Sequence, residues 1–553
     1  MSTDAGPAKG APRSELFSSR NVFILSAVGS AVGLGNIWRF PYVAYDNGGG
    51  AFIIPYLVAL LTAGVPLLLF DYAIGHRYRG SAPLSLRRMG GGAEVLGWLQ
   101  VGVCFVIALY YAVIVAWAGM YTVFSVTRAW GDDPKAFLYE QVLRLDEPGF
   151  GGGIVPEVLW PQLLVWITVL AIIALGVGKG ISVANSVFMP LLVVMFLLLV
   201  VQALLLPGAL DGLNALFTPD WQALGSFEVW AAAYGQIFFS LSVGFGIMLT
   251  YSSYLKRKTD LAGSGAVVAF SNSGFELLAG IGVFAALGFM AQLSGSDIEG
   301  VAGAGIGLAF VAFPSIISAA PAGGLIGVLF FGSLLFAGLS SLISILEVVV
   351  AAVRDKLGIG RVAATAAIGA PMAILSLLLF PTTTGLYKLD VIDEFVNKYG
   401  ILLGALATVV TVTLVLRKLG VLRRHIDRVS SIRFGTLWTV LAGAVVPVTL
   451  TVMLGDDLLS KLREPYGGGD YDGAFLAVFG WGVVGILAAA AVVLTLLPWS
   501  ARTDTAPVDD GSPFGHHPDS TPSTGEVELP SAAEERDGEA APAAEGAEGG
   551  VQA

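Results

Sequence analysis

Gly29-Ser30-Ala31-Val32-Gly33-Leu34-Gly35-Asn36 lies in the middle of the first apolar run of this chain, with three glycines in seven residues. A glycine costs about 1 kcal/mol in a helix interior relative to alanine. It also permits backbone conformations that other residues resist. The surrounding composition shows why that matters. Of 553 residues, 55% are hydrophobic and 13% charged, and the mean hydropathy is +0.78. An average soluble domain is about 25% charged. A water-soluble fold could not hide this much apolar surface, so the solvent is lipid. In lipid, an opened helix is tolerated only where it is buried in protein or lines a cavity. A helix broken at mid-membrane exposes amides on one half and carbonyls on the other. Carboxylates suit the first and sodium suits the second.

A second interruption follows at Ser240-Leu241-Ser242-Val243-Gly244-Phe245-Gly246. Apolar runs of about 20 residues or more predict twelve spanning helices, near 20–44, 51–76, 97–127, 158–177, 182–206, 228–255, 261–292, 323–353, 361–380, 386–416, 434–455 and 472–499. The stretch 300–320 is too short and too interrupted by Gly and Pro to span, and reads as a re-entrant or surface hairpin. The two breaks fall in helices one and six. These are corresponding positions if the first ten helices form two inverted five-helix repeats, both unwound at mid-membrane. Small residues also serve close helix packing. Paired interruptions in matching positions point instead to a transport site.

Charge sets the orientation. With the N-terminus inside, the inner loops hold seventeen basic residues and the outer side eight. Both termini are therefore expected in the cytoplasm of a multi-pass cell-membrane protein. Residues 1–19 read as a cytoplasmic N-terminal segment without a cleavable leader pattern, and 20–499 as one twelve-helix domain. Residues 500–553 carry twelve acids against two bases and read as a disordered acidic cytoplasmic tail. Nothing in the charge pattern suggests nucleic acid. The lone Cys104 excludes an internal disulfide. The histidines, His76, His425, His516 and His517, fall in loops or the tail on this reading, which argues against an intramembrane enzyme. The absence of Asn-X-Ser/Thr acceptors and the excess of Arg over Lys favour a prokaryotic source.

Gly33-Leu34-Gly35-Asn36-Ile37-Trp38-Arg39-Phe40-Pro41-Tyr42, followed by Asn47-Gly48-Gly49-Gly50-Ala51-Phe52, closely resembles the first-helix signature of the neurotransmitter:sodium symporter family. So do Gly235-Gln236-Ile237-Phe238-Phe239-Ser240-Leu241-Ser242 in the sixth helix and Phe336-Ala337-Gly338-Leu339-Ser340-Ser341 in the eighth. The resemblance runs from about residue 15 to 500 and is nearest to the bacterial amino-acid transporters. It implies a LeuT-type fold and sodium-coupled import of small neutral, hydrophobic amino acids. It also implies two sodium ions. The first would meet Ala31 (carbonyl), Asn36, Ser240 and Asn272. The second would meet the carbonyls of Gly29, Val32 and Ala337 and the hydroxyls of Ser340 and Ser341. All are oxygen donors, as a hard cation requires; the rule is stated for calcium and magnesium and is extended here to sodium.

The resemblance further places the substrate carboxylate on the amides of Gly33, Leu34 and Gly35 and the hydroxyl of Tyr111. The ammonium would meet carbonyls near Ala31, Phe239 and Ser242. Ile107, Phe239, Phe245, Ser341 and Ile345 would line the side-chain pocket beside Ser240. Glu276 lies within the seventh span, where a carboxylate is a functional signal by default. It stands where chloride-dependent relatives have a neutral residue and bind chloride among groups matching Tyr56, Gln236, Ser240 and Asn272. The carboxylate would supply that charge. Arg39 and Asp393 would form the outer gate, lidded by Phe239 and Tyr111, and Tyr254 and Asp355 the inner one. The inner gate departs from pattern: its usual arginine falls on Ser14, with Arg13 beside it, and its usual tryptophan is Phe17. A symporter with different ion coupling and a non-cycling substrate sensor stand as alternatives.

Overall fold

The computed structural model describes residues 15–295, 298 and 305–516. Helices dominate. Isolated bridges at Gly49–Pro219 and Ile154–Thr382 are the extended pairings among the described residues. The first predicted span is split into α1 (Arg20–Ala31) and α2 (Leu34–Asp46), bent by 58°. There follow α3 (Gly50–Tyr78), α4 (Gly91–Thr127), α5 (Pro156–Ala174) and α6 (Val177–Leu204). The sixth span is also split, into α7 (Phe227–Ser240) and α8 (Ile247–Ser253). The chain then builds α9 (Leu261–Ser294), α10 (Gly323–Leu357), α11 (Arg361–Leu379) and α12 (Gly385–Val415). An inner-face helix α13 (Leu419–Val429) precedes α14 (Gly435–Arg463) and α15 (Gly473–Leu496). Among the described residues, ten unbroken helices pass the length and hydropathy needed to cross a bilayer. The bent α1–α2 pair makes eleven if it is counted as one span.

Burial separates a protein-facing set from a lipid-facing set. The long α10 is almost wholly buried, whereas α5, α6, α14 and α15 expose much of their apolar surface. Trp160, Leu164, Val194 and Ile486 are each more than half exposed. Such a continuous apolar exterior fits hydrocarbon as the surrounding medium. Inside, α4 and α10, the third helices of the two halves, share the largest helix–helix contact among the described residues. The short half-helix α1 packs against α6, α9 and α10. Each break is therefore surrounded by protein, as an opened backbone in lipid demands.

Three expectations need correction. Of the re-entrant or surface hairpin expected over 300–320, the surface placement fails, because Gly305–Ala319 is a short apolar helix whose aromatics pack inward. Phe310 meets Trp117, Tyr121 and Phe331 edge-on or stacked, and Phe313 stacks on Phe330 at 3.8 Å. An aromatic cluster of this kind stabilises a short segment that has no spanning length of its own. His76 and His425 are not loop residues: they lie in α3 and α13, buried and joined Nδ1 to Nε2 at 2.8 Å. Finally, residues 500–516 pack against the helical domain. Ser500 donates its amide to the Lys356 carbonyl (3.0 Å) and Thr503 its hydroxyl to the Asp355 carbonyl (2.6 Å). Arg77 and Arg88 bind backbone carbonyls of Asp504, Asp509, Asp510 and Ser512. The rest of the predicted tail, 517–553, lies outside the described residues, as do Arg13 and Ser14.

Candidate functional site

α1 closes on Val32, whose amide bonds the Val28 carbonyl at 2.7 Å. Gly33 is extended (φ −123°, ψ −166°) and its amide donates to Asn36 Oδ1 at 2.9 Å. The side chain thereby satisfies a donor that the break would leave orphaned. At the second break, Ser242, Gly244 and Gly246 have φ of 53°, 84° and 87°. Glycine takes this region at no steric cost; serine does not. Two contacts hold the turn in place. Asp71 of α3 accepts the Gly244 amide at 3.1 Å, and Ser242 donates its hydroxyl to the Ser30 carbonyl at 3.0 Å. The second bond ties one helix break directly to the other.

The two breaks enclose a cavity of about 90 Å³. Every residue expected to meet substrate lines it: Ala31, Gly33, Leu34, Gly35, Ile107, Tyr111, Phe239, Ser240, Ser242, Phe245, Ser341 and Ile345. The pocket also includes Tyr110, Asp393, Asn397 and Ile401. The Phe239 ring lies flush on the backbone at Gly35, where a Cβ would fall 2.3 Å from its Cε1. A Cβ at Gly33 would meet Ser341 Oγ at 3.2 Å and Tyr111 Oη at 3.4 Å. These distances bring the Ser341 and Tyr111 hydroxyls together beside the backbone of Gly33.

Two oxygen-rich clusters border the cavity. In one, Asn36 Nδ2 donates to Asn272 Oδ1 (2.9 Å), and Asn272 Nδ2 donates to Ser240 Oγ (3.1 Å). In the other, Ser340 Oγ bonds the carbonyls of Gly29 (2.7 Å) and Ala337 (2.9 Å). Ser341 Oγ lies 3.4 Å and 3.3 Å from the carbonyls of Gly29 and Ser30. Carbonyl and hydroxyl oxygens converging in this way are the donor type that a hard cation takes. Beside the first cluster, Glu276 is fully buried. It accepts the Tyr56 hydroxyl and, at 2.6 Å, Gln236 Nε2. The carboxylate thus sits within the group of side chains expected around it.

The expected gate residues hold the following partners. Arg39 lies over the Phe239 ring at 4.5 Å and makes no ion pair with Asp393 among the described residues. Asp393 instead accepts the Tyr110 hydroxyl at 2.6 Å. On the inner side Tyr254 bonds Glu347 (2.6 Å), and Arg361 grips the same carboxylate with both terminal nitrogens, at 2.6 and 2.9 Å. Arg361 also pairs with Glu15 at 2.6 Å. Burial works against the Glu15 charge, but Arg361 holds that carboxyl below the usual range. Asp355 accepts the Ser81 amide at 2.8 Å and pairs with Arg354 at 3.2 Å. Tyr254 and Asp355 are therefore on separate networks. Phe17 is buried edge-on to Tyr251 and Tyr254, so it keeps the ring contact expected of an aromatic there.

The sequence reading missed Asp71 and Glu347. Both are carboxylates within spans, the signal that singled out Glu276, and both prove fully partnered and buried. Asn397 and Tyr110 carry no comparable signal, because a polar side chain on a spanning helix shows its direction only after packing.

Comparison with known proteins agrees with this geometry. The model of the sodium:neurotransmitter symporter family matches residues 14–145 and 131–500. An uncharacterised sodium-dependent transporter of Methanocaldococcus jannaschii is 43% identical over 456 residues, covering 82% of this chain and 92% of that one. The human sodium- and chloride-dependent creatine transporter 1 is 33% identical over 397 residues, 61% of each chain. The crystal structure of MhsT in complex with L-phenylalanine superposes with a TM-score of 0.67 at 32% identity, covering 79% of this chain and 98% of that one. The chain is a multi-pass membrane protein of the sodium:neurotransmitter symporter family, with the LeuT-type fold.

Proposed function

We propose that the protein is a symporter that uses two sodium ions to import small neutral, hydrophobic amino acids by alternating access, without need of chloride. The observation that carries the reading is the single cavity at which both helix breaks meet. The substrate carboxylate sits on the amides of Gly33, Leu34 and Gly35 with the Tyr111 hydroxyl. The ammonium turns to the carbonyls of Ala31, Phe239 and Ser242. Ile107, Phe239, Phe245 and Ile345 present an apolar wall to the side chain, with Ser341 as the polar exception. A wall of this kind separates substrates differing by one methylene by only about 1–3 kcal/mol, so a group of aliphatic and aromatic side chains competes for it. The phenylalanine bound by MhsT supports an amino-acid substrate, and the relative from Methanocaldococcus jannaschii supports sodium dependence.

One sodium ion takes the Ala31 carbonyl, Asn36, Ser240 and Asn272, next to the substrate carboxylate. The other takes the Gly29, Val32 and Ala337 carbonyls with Ser340 and Ser341, and so clamps α1 to α10. Glu276 offsets the positive charge that the ions bring into a low-dielectric site. Entry from outside moves the Arg39–Phe239 pair; release inward requires parting the Tyr254–Glu347–Arg361–Glu15 network. The excess of basic residues in the loops on this side supports a cytoplasmic position for the network and for both termini.

The test is a competition screen of the twenty amino acids against sodium-dependent uptake in proteoliposomes. Leucine, isoleucine, valine, methionine, phenylalanine and alanine are expected to compete best. Preferential competition by aspartate, lysine or a monoamine would contradict the reading.

A further inference from the structure

We propose that a basic pocket on the inner face, bounded by Arg77, Arg424, Arg428 and His425, binds a phosphate-type anion. It lies between α13 and the segment 500–516, shares no lining residue with the transport cavity, and encloses about 290 Å³. At roughly 30 Å³ per water, that volume holds a phosphate group with several waters. Nothing in the proposed transport mechanism uses it.

Arg77 carries the argument. Its residue is 2% exposed, yet no carboxylate pairs with it among the described residues. Its terminal nitrogens donate to the backbone carbonyls of Ser512 (3.1 Å), Asp509 (3.0 Å) and Asp510 (3.2 Å), and its side chain also meets the neutral Tyr78 hydroxyl. Its Nε is buried without a hydrogen-bond partner. A buried cation with an orphan donor and no counter-charge is costly unless an anion completes it. Arg424 and Arg428 stand one turn apart on α13, exposed, unpaired among the described residues, and lining the same space. The acid in the pocket, Asp510, is engaged by Lys418 at 2.5 Å. Three guanidinium groups thus converge with one already neutralised carboxylate. Guanidinium forks match phosphate oxygens bidentately.

Two sources share this chemistry: an anionic lipid headgroup and a soluble phosphate. α13 favours the first. It buries Leu419, Val421, Leu422 and Ile426 and exposes its arginines, on the side where basic juxtamembrane segments meet anionic headgroups.

The test measures thermal unfolding of the purified full-length chain in neutral detergent. The probes are short-chain phosphatidylglycerol, short-chain phosphatidylcholine and inorganic phosphate. Wild type is compared with Arg424→Gln/Arg428→Gln, which spares the buried Arg77 and changes only exposed side chains. Phosphatidylglycerol is expected to raise the Tm of wild type more than phosphatidylcholine does. The half-maximal concentration should rise about tenfold in the variant, as expected for losing two partly exposed charge contacts. The same variant-sensitive shift with inorganic phosphate alone would support the site and assign it to a soluble anion. No shift with either anion, an equal shift in wild type and variant, or an equal effect of phosphatidylcholine would overturn the proposal.

Discussion

Replacing Glu276 with serine removes the one charge buried beside the proposed sodium site. The carboxylate is fully buried and held by Tyr56 and Gln236. It is four residues after Asn272 on α9, and side chains at that spacing lie about 5–6 Å apart on one helix face. An ion bound by Asn272 is thus about 6 Å from the carboxylate. At an effective dielectric of about 20, unit charges at that separation interact by roughly 3 kcal/mol. Every 1.4 kcal/mol is about tenfold in affinity, so Glu276→Ser should weaken sodium binding by about a hundredfold in chloride-free buffer. The vacated space, still ringed by Tyr56, Gln236 and Ser240, then offers donors to a chloride ion. The assay is sodium-driven uptake in proteoliposomes by wild type and Glu276→Ser, with gluconate or chloride as the anion. Wild type should not distinguish the anions. The variant should have a raised sodium requirement in gluconate, partly restored by chloride. A chloride requirement in wild type, or a variant indifferent to chloride, would refute the charge argument.

Gly33→Asp should abolish amino-acid uptake, because its Cβ falls 3.2 Å from Ser341 Oγ and 3.4 Å from Tyr111 Oη and so brings a second carboxylate to the place proposed for the substrate's own; uptake at wild-type rates would exclude that orientation. Gly35→Ala puts a Cβ 2.3 Å from the Phe239 ring. Overpacking of this kind costs about 1–3 kcal/mol, so uptake should fall and Tm drop modestly. Ser340→Ala removes the hydroxyl that joins α10 to the Gly29 carbonyl and should raise the sodium concentration for half-maximal uptake without changing which amino acids compete. Glu347→Ala strips Arg361 of a bidentate partner and Tyr254 of its acceptor. Breaking a buried pair in this way costs about 3–5 kcal/mol, visible as a lowered Tm; an unchanged Tm would mean that Glu15 alone suffices for Arg361.

The parts of the fold that were legible in the sequence are those written in composition. The span boundaries follow from apolar length, and the two breaks from clustered Gly and Ser. The structure adds what holds the breaks: the Asp71 carboxylate on Gly244 and the Ser242 hydroxyl on Ser30. Those partners are more than 170 residues apart in sequence, so no local pattern announces them. The partners that the expected gate residues hold could not be read from the sequence. Tyr254 donates to Glu347, a buried carboxylate that Arg361 also grips from fourteen residues further along the chain. The tail shows the opposite failure. Averaged over 500–553, its acids and prolines look solvated throughout, yet 500–516 is held by backbone carbonyls on Arg77 and Arg88. A carbonyl contributes to every residue alike and leaves no trace in composition.

The central claim is that amino-acid import is driven by sodium. It is tested by uptake of radiolabelled leucine or phenylalanine into proteoliposomes holding the purified full-length chain. Sodium outside and potassium inside should give accumulation above the external concentration. Potassium or choline on both sides should leave only background. Equal uptake with and without sodium would contradict the account.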